Sequence, residues 1–312
     1  MAMLRAQLRT GGSMPLLGLG TWAALEGECC KAVKTALDLG YRHIDTAEIY
    51  LNEREIGQAL TEKMGEGVKR EDLFIVTKLF ETRHHPDDVL PACQNSLQKL
   101  GLDYLDLYLM HWPYASKRGD NLHPVDENGQ RAYGDTHYLD TWKAMEKLVD
   151  AGLVKAIGLS NFNISQMEEI LTNGRIKPAV NQVESHPYLT CNRLLKYCTE
   201  KGIVMTAYCP LGAPGVHGSD YTSALNDPII KTIGDKYGKS AAQVCLRWQV
   251  QRGVVVIPKS SNPSRLKENS QIFDFELSEE DMAAVNDLNR DARILKKEEY
   301  QRHPHWPFGE PF

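Results

Sequence analysis

The sequence predicts an α/β chain whose eight strands and intervening helices close into one parallel (β/α)8 barrel. Three observations predict it. Glycines recur where a helical pattern ends and an apolar, strand-like run begins. The helical patterns between them carry apolar residues at spacings of three and four. The titratable residues that interrupt this regularity fall at strand ends, where a barrel gathers its working groups.

A first strand is expected around Leu16 to Leu19. Gly40 then ends a helix built on Cys30, Val33 and Leu37 and precedes the second strand, Tyr41 to Asp45. Glycine just after a helix tolerates the left-handed backbone that stops it. Gly101, Gly152, Gly202 and Gly253 repeat the sign before the runs LDYLDLYLMH, LVKAIGLS, IVMTAY and VVVIPK, at separations of 51, 50 and 51 residues. Units of that length hold two strand-helix pairs where a further strand lies between the markers. Phe74 to Lys78 and Ala179 to Glu184 are those further strands, bringing the count to eight. Helix faces recur as Leu90, Cys93, Leu97, Leu100 and as Ala241, Val244, Cys245, Trp248. Asn52 followed by Glu55 predicts a capping box for the helix after the second strand. Near-continuous apolar strands mean a sheet covered on both faces.

Three stretches break the alternation: a polar loop over 112–137, a Gly-rich loop over 209–225 and a tail from about Asp291. Both loops follow strands, which places them at the C-terminal mouth, where long loops shape binding sites. No linker or shift in composition divides the chain, so residues 1–312 are expected to form one domain.

Composition removes several classes of function. A hydrophobic content of 42% and a charged content of 25% suit a soluble globular protein. A formal charge of −5 and a pI near 6.1 leave no basic footprint for nucleic acid. Seven scattered cysteines without a C-x-x-C pair read as reduced, buried thiols, which predicts a cytoplasmic protein. No apolar run reaches the length of a membrane span, and the opening residues lack the apolar core of a signal peptide.

In this register Asp45, Lys78 and His111 end the second, third and fourth strands, with Tyr50 in the loop after Asp45. Singly each has a plain structural reading: Lys78 reaching for solvent, His111 satisfied in the core, Asp45 pairing with Lys78, Tyr50 packing its ring. Together at adjacent strand ends they form a candidate site. A phenol titrates near 10, and a nearby ammonium such as Lys78 is expected to lower it. Asp45 would hold Lys78 charged, and His111 could donate to a substrate oxygen. The set suits protonation of a carbonyl oxygen as negative charge develops, provided something supplies a hydride. After the eighth strand, Lys259 and Arg265 flank a Ser- and Asn-rich loop leading into a short helix, a place where barrels bind phosphate.

Beyond these residues the chain resembles the aldo-keto reductase family, in its aldose/aldehyde reductase-like branch. The motifs run in order through Met14-Pro15-Leu16-Leu17-Gly18-Leu19-Gly20-Thr21-Trp22, Gly40 to Tyr50, Leu109-Met110-His111-Trp112-Pro113, Gly158-Leu159-Ser160-Asn161-Phe162, Asn181 to Tyr188 and Ile257-Pro258-Lys259-Ser260. The resemblance implies a barrel preceded by an N-terminal hairpin, binding extended NADPH and reducing a small-molecule carbonyl substrate. It implies Tyr50 as general acid, tuned by Lys78 and Asp45, with His111 orienting the carbonyl. Nicotinamide would stack on Tyr208, with its amide on Ser160, Asn161 and Gln182, and Thr21, Trp22 and Leu211 would line the cofactor. The adenosine phosphate would lie near Lys259, Ser260 and Arg265, with Glu268 and Asn269 at the adenine. Trp22, Phe80 and Trp112 would join Tyr50 and His111 around the substrate. Many members carry Trp where this chain has Phe80 and Ser where it has Cys209, so a bulkier ketone on a steroid-like frame becomes conceivable. Members of this branch are often monomers, and a monomer is expected.

Rival readings are weaker. Gly18 to Ala23 matches a G-x-G-x-x-A dinucleotide fingerprint with Asp45 downstream, but the helical pattern begins only after Gly27. Schiff-base chemistry at Lys78 or Lys259 leaves Tyr50 and Asp45 unexplained. A crystallin-like or channel-subunit-like protein that binds NADPH without turnover is the alternative from another class. His84-His85 and His303-Pro304-His305 lack further ligands at zinc spacing and are expected to be solvated, with no metal. Trp306, Phe308 and Phe312 of the tail are expected to rim the pocket.

Overall fold

A computed structural model describes residues 4–24, 27–214 and 223–310. A short antiparallel hairpin, β1 (Arg5–Gln7) and β2 (Ser13–Pro15), comes first. The barrel then alternates β3 (Leu19–Gly20), α1 (Cys29–Asp38), β4 (His43–Asp45), α2 (Glu53–Gly65), β5 (Phe74–Leu79), α3 (Pro86–Leu100), β6 (Leu107–Met110) and α4 (Tyr138–Asp150). It continues with β7 (Ile157–Ser160), α5 (Ile164–Asn173), β8 (Val180–Glu184), α6 (Asn192–Glu200), β9 (Val204–Tyr208), α7 (Pro228–Tyr237), α8 (Ala241–Gln251) and β10 (Val255–Val256). Two more helices, α9 (Pro263–Ser270) and α10 (Glu279–Asn286), precede the tail.

The eight strands β3 to β10 pair in parallel in chain order. Bridges from Leu17 to Val256 and from Gly20 to Lys259 close the sheet on itself. Hydrogen bonds at this seam run from Gly18 N to Val256 O (2.9 Å) and from Gly20 N to Pro258 O (3.2 Å). The approach requires glycine: a Cβ on Gly20 would stand 2.5 Å from the Ile257 carbonyl oxygen. The five glycine markers all sit at positive φ, as the helix-stop reading requires.

Alternation along each strand sorts the side chains. Val76, Leu107, Leu109, Ala156 and Val180 point into the barrel and pack with Leu8 and Met14, so the hairpin region plugs its N-terminal end. Ile75, Leu79, Tyr108 and Met110 point outward into the larger core shared with the helices. Strand parity therefore carries Lys78, His111, Ser160 and Gln182 inward at the opposite end.

Two local expectations are corrected. Asn52 and Glu55 do not form a capping box; the Asn52 amide donates to Thr21 O (2.9 Å) and accepts from Thr46 Oγ1 (2.8 Å). Glu55 instead accepts from Gly27 N (3.1 Å) and Cys30 N (3.2 Å), supporting the start of the neighbouring α1. The solvated-histidine expectation fails for His84, 1% exposed, and His303, 5% exposed, while His85 and His305 are partly exposed. Among the described residues no group of three or more His, Cys, Asp or Glu could hold a metal ion. Finally, part of the 209–225 loop and Phe312 lie outside the described residues. Among those described, no helix is long and apolar enough to cross a membrane. All seven cysteines are free, and five are buried.

Candidate active site

The C-terminal mouth opens into a cleft of about 1270 Å³. The short turn Glu48–Tyr50 after β4 brings Tyr50 to its floor, and Leu51 ends the turn in the left-handed region at φ 58°. Next to Tyr50, the His111 ring lies edge-on with centroids 5.9 Å apart. Beneath them Lys78, wholly buried, donates to Asp45 Oδ1 (2.5 Å) and Thr46 O (2.8 Å), with its Nζ 5.1 Å from the Tyr50 ring centroid. The other Asp45 oxygen accepts from Gln182 Nε2 (2.8 Å). One carboxylate thus ties β4 to β5 and, across the barrel, to β8.

Electrostatics depart from expectation at the phenol. Burial pushes Tyr50 well above the ordinary phenol value, and the Asp45 charge adds to the rise, whereas lowering by Lys78 was expected. Burial likewise lowers Lys78, opposed by its bond to Asp45. The same cause holds His111 well below the usual imidazole range, with Lys78 adding to it. At neutral pH the site therefore presents a protonated phenol and a neutral imidazole, two hydrogen-bond donors for one oxygen.

A second cluster lines the cleft beside this pair. Tyr208, at the end of β9, donates to Asn161 Oδ1 (2.8 Å), and Asn161 Nδ2 donates to Ser160 Oγ (3.1 Å) and the His111 carbonyl (3.1 Å). Asn161 holds φ 64°, a conformation that asparagine tolerates better than most residues. A phenol ring beside amide and hydroxyl groups fits a flat, amide-bearing ring.

Further along the cleft, Asn262 caps α9 by accepting from Arg265 N (3.1 Å), and Ser260 Oγ accepts from Asn262 N (3.2 Å). Neither Lys259 nor Arg265 forms an ion pair among the described residues, and both line the cleft. Two uncompensated cations at a helix start fit a phosphate ester. Glu268 accepts from the Ser240 hydroxyl, which pins α9 to the start of α8.

The candidate catalytic, cofactor and substrate residues all line this one cleft except Lys78, which lies behind Asp45; Trp306 and Phe308, expected at the rim, are not among its lining residues, although Phe308 packs behind the wall against Trp112. Thr21, Trp22, Phe80, Trp112, Leu211 and Asn269 are all in the wall. Sequence reasoning missed Glu184, the last residue of β8. Its carboxylate accepts from Ile294 N (2.7 Å), Leu295 N (2.8 Å) and His186 (3.1 Å), clamping the tail across the mouth. Burial alone would raise this carboxyl, but His186 and the tail amides hold it below the ordinary value. An acid ending an apolar strand was the available signal.

Comparisons with known proteins agree with this geometry. The Aldo/keto reductase family model matches residues 16–290. Aldo-keto reductase family 1 member A1-A of Danio rerio is 51% identical, with 98% of each chain covered. Aldo-keto reductase family 1 member A1 of Homo sapiens is 49% identical at the same coverage. Among solved structures, the aldose reductase from Schistosoma japonicum superposes with a TM-score of 0.95 at 44% identity, covering 99% of this chain and 100% of that one. The match spans both the seam and every strand end that furnishes the cleft, and so the chain belongs to the aldo/keto reductase family, whose reaction class is carbonyl reduction.

Proposed function

We propose that this protein reduces aldehydes and ketones to alcohols with NADPH, using Tyr50 as the proton donor. The observation that carries the reading is a single cleft with two ends. At one, Tyr50 and His111 sit over the buried Asp45–Lys78 pair; at the other, Lys259 and Arg265 have no counter-ion among the described residues.

When bound, NADPH supplies the hydride that goes to the carbonyl carbon. Tyr50 gives its proton to the carbonyl oxygen, and the neutral His111 donates a hydrogen bond that fixes which lone pair faces the phenol. As Tyr50 becomes phenolate, the Lys78 ammonium stabilises it, and Asp45 keeps that ammonium in place. Ser160, Asn161 and Gln182 would hold the carboxamide beside Tyr208, while Thr21, Trp22 and Leu211 would line the cofactor. Lys259, Ser260 and Arg265 would take the adenosine phosphate, with Glu268 and Asn269 at the adenine. Trp22, Phe80 and Trp112 form the apolar walls for the substrate, and Phe80 leaves room for a carbonyl compound larger than a simple aromatic aldehyde.

The test compares the unaltered protein with Tyr50→Phe, measuring NADPH binding and NADPH consumption against a panel of aldehydes and ketones. Tyr50→Phe should bind NADPH normally and turn over at least ~100-fold more slowly, the scale of a lost general acid. If both proteins bind NADPH and neither reduces any carbonyl, the chain is a binding or structural member of the family.

A further inference from the structure

Glu81 is a buried carboxylate that the chemistry above does not use. It opens the short turn after β5, next to Phe80, and is 1% exposed. Its Oε2 accepts from Tyr300 Oη (2.9 Å) in the tail and from Ser116 Oγ (3.2 Å) in the 112–137 loop. Those two hydroxyls lie 2.7 Å apart, and Ser116 N also donates to the Glu81 carbonyl (3.0 Å). Three separate segments thus meet at one carboxyl group. Burying a carboxylate is costly unless its partners are well placed, and Glu81 Oε1 has no partner among the described residues. Burial pushes the carboxyl up, while Lys297 and Arg131 in the cleft wall oppose the rise.

Behind this junction stands an aromatic stack. Tyr300 lies on Tyr114 with centroids 4.1 Å apart, Tyr114 lies on Trp112 at 5.3 Å, and Trp112 follows His111 in sequence. Phe308 of the tail meets Trp112 edge-on at 6.0 Å. The position of the Trp112 wall relative to His111 therefore depends on where Tyr300 is held.

We propose that Glu81 is a positioning residue for substrate specificity: its carboxylate joins the tail and the 112–137 loop through Tyr300 and Ser116, fixing the aromatic wall against which large carbonyl substrates lie. This rests on the carbonyl-reductase reading of the cleft. A small aldehyde needs only Tyr50 and His111 and is indifferent to the junction; a two-ring aromatic aldehyde must lie along Trp112 and is not.

The test measures kcat and KM for propanal and for naphthaldehyde, with NADPH binding alongside, in the unaltered protein, Glu81→Ala, Glu81→Gln, Tyr300→Phe and the Glu81→Ala/Tyr300→Phe pair. Glu81→Ala and Tyr300→Phe should raise KM for naphthaldehyde about tenfold, the scale of a lost charge-assisted hydrogen bond, with kcat within about twofold. Propanal kinetics and NADPH binding should stay unchanged. Glu81→Gln retains an acceptor oxygen and should recover most of the loss, and the double variant should be no worse than Glu81→Ala alone. Equal losses on both aldehydes, no loss on either, or additive single effects would each overturn the proposal. Should Glu81→Ala fail to fold, Tyr300→Phe and Ser116→Ala, which remove only a hydroxyl, carry the same comparison. An unaltered protein that reduces neither aldehyde would instead remove the carbonyl-reductase reading, and this inference with it.

Discussion

Asp45→Asn tests the heart of the site. The substitution keeps size and shape but removes the charge that faces Lys78 Nζ at 2.5 Å, in a pair whose side chains are 1% and 2% exposed. Two donors converge on the Asp45 carboxylate, Lys78 Nζ and Gln182 Nε2, and an amide offers only one oxygen, so one donor must face an NH2 group. Breaking a buried ion pair from one side costs about 3–5 kcal/mol, and the lower end applies because one acceptor survives. Scaling the unfolding entropy of about 2.1 cal/mol/K per residue to 312 residues gives ~0.65 kcal/mol/K, so Tm should fall by ~5 °C. Lys78, already lowered by burial, drops further without Asp45. Its folded value then lies below its unfolded one, the unfolded chain binds more protons in between, and stability rises with pH through that window. The deficit relative to the unaltered protein should therefore narrow toward alkaline pH. Turnover should fall at least ~100-fold, since a neutral lysine cannot stabilise the phenolate. The assay is thermal unfolding at several pH values with kcat measured alongside. A variant within 1 °C of the unaltered protein and within a few-fold of its kcat would refute the reasoning.

Two further outcomes follow from other parts of the molecule. Arg265→Ala should raise KM for NADPH by ~10–100-fold, the equivalent of a lost hydrogen bond to a charged group, and leave both kcat and the KM for NADH unchanged; parallel losses with both cofactors would place the adenosine phosphate elsewhere. Burial lowers His84 to about 3 and His305 to about 4, and lowers His303 as well, with His303 and His137 among the facing groups and Glu169 the opposing charge. Because these folded values lie below the ordinary imidazole value, the unfolded chain takes protons that the folded chain refuses, and stability should fall as pH drops from about 6.5 toward 4. Thermal unfolding combined with limited proteolysis of the tail checks this, and a flat or rising Tm over that range would contradict it.

The barrel was legible because its signals are local and repeated: five glycines at helix ends, eight apolar runs and a parity that carries Lys78 and His111 to the same face. The clustering of Asp45, Tyr50, Lys78 and His111 in one cleft was legible for the same reason, since strand ends are readable from sequence. What escaped depends on contacts between distant segments. Glu55 was assigned to its own helix but serves α1, because the geometry that decides is between helices rather than along one. The roles of Glu81 and Glu184 emerge only when the tail, more than a hundred residues later in sequence, is laid over them. His84 and His303 were read as solvated because burial by a returning tail leaves no periodic trace. The Tyr50 shift was misjudged in sign because proximity to Lys78 can be inferred from strand order, whereas the desolvation that outweighs it depends on packing.

The seam where β3 meets β10 gives the barrel a beginning and an end in a way its circular cross-section conceals. Seven of the eight strand junctions join neighbours in the chain, and this one joins residues about 240 apart through strands of only two residues each. Thr21 and Trp22 lie just past one side, and Lys259 and Ser260 just past the other. A dinucleotide held by both would act as a clasp, fastening the two ends of the sheet where only two bridges join them. Amide exchange at Gly18, Gly20 and Val256 should then slow on cofactor binding more than exchange anywhere else in the sheet.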